Sequence, residues 1–182
     1  MTQIDNSIIT RSQAGDKDAF RSLVETCQVM VFSVALKMLA DEEEAKDVVQ
    51  ETFLRVWLNI SKFDARRSFT TWLYAIASRL CLDHLKSRTH VIAMPEDESV
   101  LRRYASADGQ RELENREWVA IVRLLAEGLS PKQRLVFTLS QLEGLSSQEV
   151  EDATGMTSKQ VKNNLYVARQ TIRERLKKIG YE

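Results

Sequence analysis

Residues 47–88 read DVVQETFLRVW (47–57), LNISKFDARR (58–67) and SFTTWLYAIASRLCLDHLKSR (68–88), and this stretch decides the fold. In the first segment Val48, Val49, Thr52, Phe53, Val56 and Trp57 recur every three or four residues, with Ala45 before them and Ile60 after. That spacing predicts an amphipathic helix with one inward stripe. Asp41 followed by Glu44 has the N-cap pattern, and the acidic cluster sits where a helix dipole favours negative charge, so the helix is expected to start at Glu42. Its other side carries Asp47, Gln50, Glu51, Leu54, Arg55 and Leu58. Single surface leucines are common and need no explanation, whereas two leucines four apart among charges and an amide make a small protein-docking patch. The residues alone leave both readings open.

Between Asn59 and Ser68 the period breaks, and Lys62, Arg66 and Arg67 gather around Phe63 and Asp64 in a basic turn. Ser68 can cap a second helix whose inward stripe is Leu73, Ile76, Ala77, Leu80, Cys81 and His84 or Leu85. Phe69, Trp72 and Tyr74 lie near its start, with Arg79, Lys86 and Arg88 further along. Aromatics interleaved with cations suit single-stranded nucleic acid, because bases stack on rings at about 1 to 3 kcal/mol each while cations follow the phosphates. Large aromatics are also mostly buried, and composition alone favours a core role for Trp72.

Upstream, Phe20, Leu23, Val24, Cys27, Val31, Val34, Ala35, Met38 and Leu39 form another helical stripe, on one long helix or a pair. Residues 1–12 are polar and unpatterned, and a frayed start is expected there. Downstream, residues 89–111 lose periodicity and contain Pro95, the run Glu96, Asp97, Glu98, and Gly109, which is the composition of an acidic flexible linker. Periodicity returns with Leu113, Trp118, Ile121, Val122, Leu124 and Leu125 in a helix ending near Gly128. Three capping signals follow: Ser130 with Pro131 and Gln133, Ser146 with Glu149, and Thr157 with Gln160. They open helices carrying Leu135, Val136, Leu139 and Leu142, then Val150 and Ala153, then Val161, Leu165, Ala168, Ile172 and Leu176. A short helix, a tight turn at Gly155 and Met156, and a longer basic helix make a helix-turn-helix arrangement. Its second helix turns outward Ser158, Lys159, Gln160, Lys162, Asn163, Asn164, Tyr166 and Arg169, amides suited to adenine edges and cations suited to guanine or phosphate. A plain basic helical bundle is the competing reading.

The whole chain of 182 residues is long enough for one medium or two small domains, and six glycines and two prolines leave little material for the many turns of a sheet protein. The fold class expected is all-α, two small helical domains joined by a flexible linker. Their limits are 1–88, the linker 89–111, and 112–182 with the helix-turn-helix. Basic and acidic residues balance at 26 each, but they are segregated: Asp41, Glu42, Glu43, Glu44, Asp47 and Glu51 form an acidic patch, and the chain ends in a basic helix. Cys27 and Cys81 sit in apolar stripes without metal-ligand spacing, so they are read as buried thiols, with no disulfide framework and no metal site. No signal-like start is present, and no segment approaches the roughly 18 uncharged apolar residues of a membrane span. A cytoplasmic location and no membrane insertion are therefore expected. The sequence also lacks a Gly-rich phosphate loop, a clustered ligand set and a nucleophile with its base. Asp83 beside His84 is read as a helix-surface pair, and neither an enzyme nor a cofactor is expected.

With both halves read, the chain resembles the extracytoplasmic-function class of bacterial sigma-70 factors. Residues 47–57 look like that family's polymerase-binding helix. Ser68, Phe69, Thr71, Trp72, Leu73 and Ala77 look like its promoter-melting segment, and Arg79, Asp83, Leu85 and Lys86 resemble its minus-ten reading segment. Leu129, Ser130, Pro131, Lys132, Gln133, Arg134, Val136 and Phe137, then Glu143, Gly144, Leu145, Ser146, Glu149, Val150 and Gly155, resemble its minus-35 domain. Two departures stand out. Glu151 replaces a small residue in the first helix of the helix-turn-helix, and Asn163, Asn164 and Val167 replace hydroxyl or basic residues in the second.

The resemblance implies a non-enzymatic sigma factor that binds core RNA polymerase, recognises minus-35 and minus-ten elements and promotes strand opening. Asp47, Gln50, Glu51, Leu54 and Arg55 would dock on a helical hairpin of the polymerase clamp. Lys62, Phe63, Arg66, Arg67, Phe69, Thr71, Trp72, Arg79, Asp83 and Lys86 would melt and read the minus-ten element. Ser158, Lys159, Gln160, Lys162, Asn163, Asn164, Tyr166 and Arg169 would contact the minus-35 duplex. The partners implied are core polymerase and promoter DNA, duplex and melted, with room for an anti-sigma factor. A helix-turn-helix regulator that never joins polymerase is the alternative.

Overall fold

The computed structural model describes residues 4–88 and 128–178. The linker expected over 89–111 and the helix expected over Leu113–Leu125 lie outside the described residues. Among the described residues the regular structure is helical, and its order follows from its caps. Helix α1 (Asn6–Gln13) starts where the Asp5 carboxylate accepts from Ser7 N–H at 2.9 Å, and α2 (Lys17–Leu39) starts where Asp16 accepts from Asp18 and Ala19. The expected frayed start is thus corrected. Ile9 and Ser12 are buried, and the Gln13 amide donates to the carbonyls of Ile60 and Phe63, tying α1 to the turn before the fourth helix. Too few apolar residues precede Asp16 for a period to show.

Helix α2 is one continuous helix and the centre of the first unit. It is long and apolar enough by composition to cross a membrane, although Glu25 and Lys37 interrupt its apolar run and its inward face is taken up by the core. Its inward face, from Leu23 through Leu39, is the core against which α3 (Glu42–Asn59) and α4 (Phe69–Arg88) pack. Ala40 ends α2 in the left-handed conformation at φ 55°. Asp41 then caps α3 by accepting from Glu44 N–H at 2.9 Å, while the Glu44 carboxylate lies 3.5 Å from His84 Nδ1. Ala45, Val48, Thr52, Phe53 and Val56 are buried as the period predicts. Ser68 caps α4, accepting from Thr71 N–H at 3.2 Å.

The second unit begins with α5 (Pro131–Phe137), opened by the reciprocal Ser130 and Gln133 box with Pro131 in the first turn, and continues through a π-helical stretch at Thr138–Leu142. Next comes α6 (Ser147–Thr154), with its own Ser146 and Glu149 box. Gly155 then terminates α6 at φ 69°, a left-handed position that glycine occupies without a Cβ penalty. Thr157 and Gln160 exchange bonds to open α7 (Ser158–Lys178). Helices α6 and α7 are the helix-turn-helix.

The two units do not stand apart. A single apolar cluster runs from Val34, Met38 and Leu39 of α2, through Tyr74, Leu80 and Cys81 of α4, to Leu135, Val136, Leu139, Val150 and Val161 of the second unit. A separate cluster of α1–α4 holds Leu23, Val31, Phe53, Val56, Phe63, Phe69 and Leu73.

Candidate polymerase and promoter interface

On the solvent side of α3, Leu54 and Leu58 are 53% and 65% exposed. Around Leu54, Asp47, Gln50, Glu51 and Arg55 line an open groove of about 810 Å³ with Leu80, Asp83, His84 and Ser87 of α4. Arg55 Nε donates to Glu51 at 2.8 Å one turn back, so that pair presents its charges as one dipole beside the leucines. Leucines bared at the centre with charges at the edge fit a protein partner, since an apolar centre with a polar rim is the anatomy of such surfaces.

The basic turn is built differently from the reading of its sequence. Phe63 and Phe69 are 8% and 5% exposed, and both belong to the core. Phe63 stacks on Trp72 at 4.8 Å and meets Phe69 edge-on at 5.4 Å. Their rings therefore face inward as a brace, and only Trp72 of the three is partly open to solvent. The Arg66 guanidinium closes on Asp64 at 2.9 Å, and this bond, with the one from Arg66 N–H, holds the Asp64 carboxyl below its usual range. Lys62 and Arg67 are exposed beside that pair. Thr71 is half-buried near the start of α4, while Arg79, Asp83 and Lys86 are exposed further along, with Lys86 3.6 Å from Asp83. Asp83 thus pairs with Lys86 while His84 turns to Glu44.

On α7, Ser158, Lys159, Gln160, Lys162, Asn163, Tyr166 and Arg169 are exposed, with Asn164 half-buried. Three of them are engaged already: the Gln160 side chain accepts from Thr157 N–H at 2.9 Å, the Asn164 amide donates to the Gln160 carbonyl at 2.8 Å, and Arg169 donates to Gln141 Oε1 at 2.9 Å. Val161 and Ala168 face the core, so the opposite side of α7 is turned to solvent and is mostly polar, with Tyr166 and Val167 exposed among the amides and cations. Glu151 is half-buried on α6, and its carbonyl accepts the Gly155 N–H that closes the helix.

The chain matches the family models for Sigma-70 region 2 over residues 23–91 and for Sigma-70 region 4 over residues 120–172. It is 30% identical to a probable RNA polymerase sigma-C factor of Mycobacterium bovis, over 87% of this chain and 83% of that one. It is also 29% identical to the ECF RNA polymerase sigma factor SigW of Bacillus subtilis, over 93% of this chain and 95% of the relative. The chain belongs to the extracytoplasmic-function subfamily of the sigma-70 factors. As a fold, this sigma factor superposes with a TM-score of 0.70 on CnrH, solved in complex with the cytosolic domain of CnrY, at 24% identity and covering 95% and 97% of the two chains.

A sigma factor of this class is an alternative initiation factor, whose two domains bind RNA polymerase and promoter DNA. The polymerase-free regulator is not favoured, because region 2 matches over a part of the sigma factor that a helix-turn-helix does not need. Sequence reasoning missed the buried pair of Lys37 and Glu143, which joins α2 to the end of the π-helical stretch. A signal existed: Lys37 interrupts the run Val34 to Leu39 at an inward position, and only a buried counter-charge resolves that.

Proposed function

We propose that Asp47, Gln50, Glu51, Leu54 and Arg55 dock on the helical hairpin of the polymerase clamp. The observation that carries this is the bared Leu54, which lines the groove that α3 and α4 share, with Leu58 exposed one turn further along α3. In the same reading Lys62, Arg66 and Arg67 approach the phosphates, and Trp72, braced from beneath by Phe63 and Phe69, offers its open face to an unstacked base. Thr71, Arg79, Asp83 and Lys86 continue that track along the minus-ten strand. A captured base lowers the cost of opening the duplex. Ser158, Lys159, Gln160, Lys162, Asn163, Asn164, Tyr166 and Arg169 hold the minus-35 duplex, with Lys159 and Lys162 on phosphate and the amides on base edges.

The domain limits proposed are 1–88 and 112–182, joined by 89–111, so that both contacts fall on one promoter and each raises the effective concentration of the other. The factor works in the cytoplasm, without catalysis of its own, and the groove of α3 and α4 is also available to an anti-sigma partner. Titrating purified core polymerase with the parent and with Leu54→Glu tests the docking assignment. The variant is expected to keep its helicity and melting temperature while losing at least about tenfold in affinity, the scale of an interface hot spot. A variant that binds core as tightly as the parent overturns the assignment, and one that unfolds shows Leu54 to be a core residue.

A further inference from the structure

Two apolar side chains stand among the polar ones on the outward side of α7. Tyr166 is 65% and Val167 42% exposed, and they follow Asn163 at the three- and four-residue spacing that makes side chains neighbours on a helix. Lys159 and Lys162 are exposed before them and Arg173 after. A lone surface valine needs no explanation, and Val29 on α2 is another. Val167 differs in its company. Hydrogen-bonding side chains around it are committed within the protein: Gln160 to Thr157 N–H at 2.9 Å, Asn164 to the Gln160 carbonyl at 2.8 Å, and Arg169 to Gln141 Oε1 at 2.9 Å. Beyond Asn163 the helix therefore presents a branched aliphatic group and a phenol ring, flanked by cations that suit phosphates.

The major groove of DNA offers one apolar group to such a surface, the C5-methyl of thymine, whereas guanine and adenine are read there through hydrogen bonds that a valine cannot make. We propose that Val167, with Tyr166 beside it, reads thymine methyl groups, so that the upstream element of this chain carries thymine next to the base that Asn163 contacts. This rests on the assignment of α7 to the minus-35 duplex and names a base within it. Discrimination at that base pair comes from burying a methyl, about fourfold in affinity for each one, and not from a bidentate hydrogen-bonded pair.

Core polymerase reconstituted with the full chain is used to select duplexes from a randomised library, and the selected duplex is then titrated by anisotropy. Each thymine of its upstream element is replaced in turn by deoxyuridine, which deletes the methyl and keeps the base pair. At one or two positions the replacement is expected to weaken binding by the parent about fourfold. Val167→Ala is expected to bind the thymine and uracil duplexes alike at one of those positions, and Val167→Arg to select guanine there. Both substitutions fall on an exposed position, and thermal melts check that the fold is kept. Binding by the parent that is indifferent to uracil at every upstream position overturns the thymine reading. So does a Val167→Ala chain that keeps the full uracil penalty throughout. Lys159→Ala with Lys162→Ala separates this failure from that of the assignment beneath it, since loss of phosphate contacts should weaken all duplexes alike. A lysine pair without effect, or a library that yields no upstream preference, overturns the minus-35 assignment and the thymine reading with it.

Discussion

Phe63 and Trp72 stack on each other, yet the chain uses the two rings differently. Phe63 is enclosed by the α1–α4 cluster, whereas Trp72 has one side on that cluster and the other toward solvent. Phe63→Ala is expected to cost about 3 to 5 kcal/mol of unfolding free energy in a denaturant titration, as for other buried aromatics. Trp72→Ala is expected to cost less and to weaken binding to melted promoter strand instead. A reversed ranking in the two measurements would show that Trp72 is the brace. The thiols give a second test. Burial pushes Cys27 from an ordinary 9.0 to about 11 and Cys81 to about 12, so both stay protonated and unreactive in the native chain. Iodoacetamide at pH 8 should label them only after unfolding. Because both folded values are raised, the stability tied to the neutral thiols is complete below pH 9.0 and is lost as pH rises through about 11 to 12. A flat stability profile across that window would count against buried thiols.

At the scale of elements the caps decide where helices begin and end. Ser146→Ala removes the side chain that accepts from Glu149 N–H, and about 1 kcal/mol of stability should go with it. Gly155→Ala adds a Cβ at φ 69°, where about 1 to 2 kcal/mol of strain is expected although the space around it is open. Thermal melts of the two variants check this, and unchanged melting in both would mean that the turn is set by packing alone. These same features made the helix-turn-helix legible from sequence, since each helix start carries its own hydroxyl and its partner three residues on. The stripes of α2, α3 and α4 were legible for a similar reason, because Leu23 to Leu39, Ala45 to Ile60 and Leu73 to Cys81 keep one period throughout. Helix α1 was not, because a single turn of apolar residues after Asp5 carries no period. Neither were the inward rings of Phe63 and Phe69, whose direction depends on a turn held by Gln13 from fifty residues away.

For the whole molecule, the balance of 26 basic and 26 acidic residues conceals two surfaces of different chemistry, and the fold keeps them separate. An apolar patch with a charged edge stands on α3, and a mostly polar face runs along α7. The partner across the contact between the units was illegible in sequence, because Lys37 signals only that some counter-charge is needed and Glu143 lies 106 residues away. What the sequence did carry was the order of the parts: the helix with bared leucines, the basic turn, the helix after it, then the helix-turn-helix, to which docking, melting and duplex reading are proposed to belong. The account stands on that order being used in initiation. Transcription in vitro with purified core polymerase, on a pooled library of genomic promoter fragments with the starts mapped by sequencing, tests this most directly. Core with this chain should initiate at a discrete set of starts that core alone does not use, and Leu54→Glu should abolish them. The same pattern of starts with and without the chain, together with no binding to core, would contradict the account.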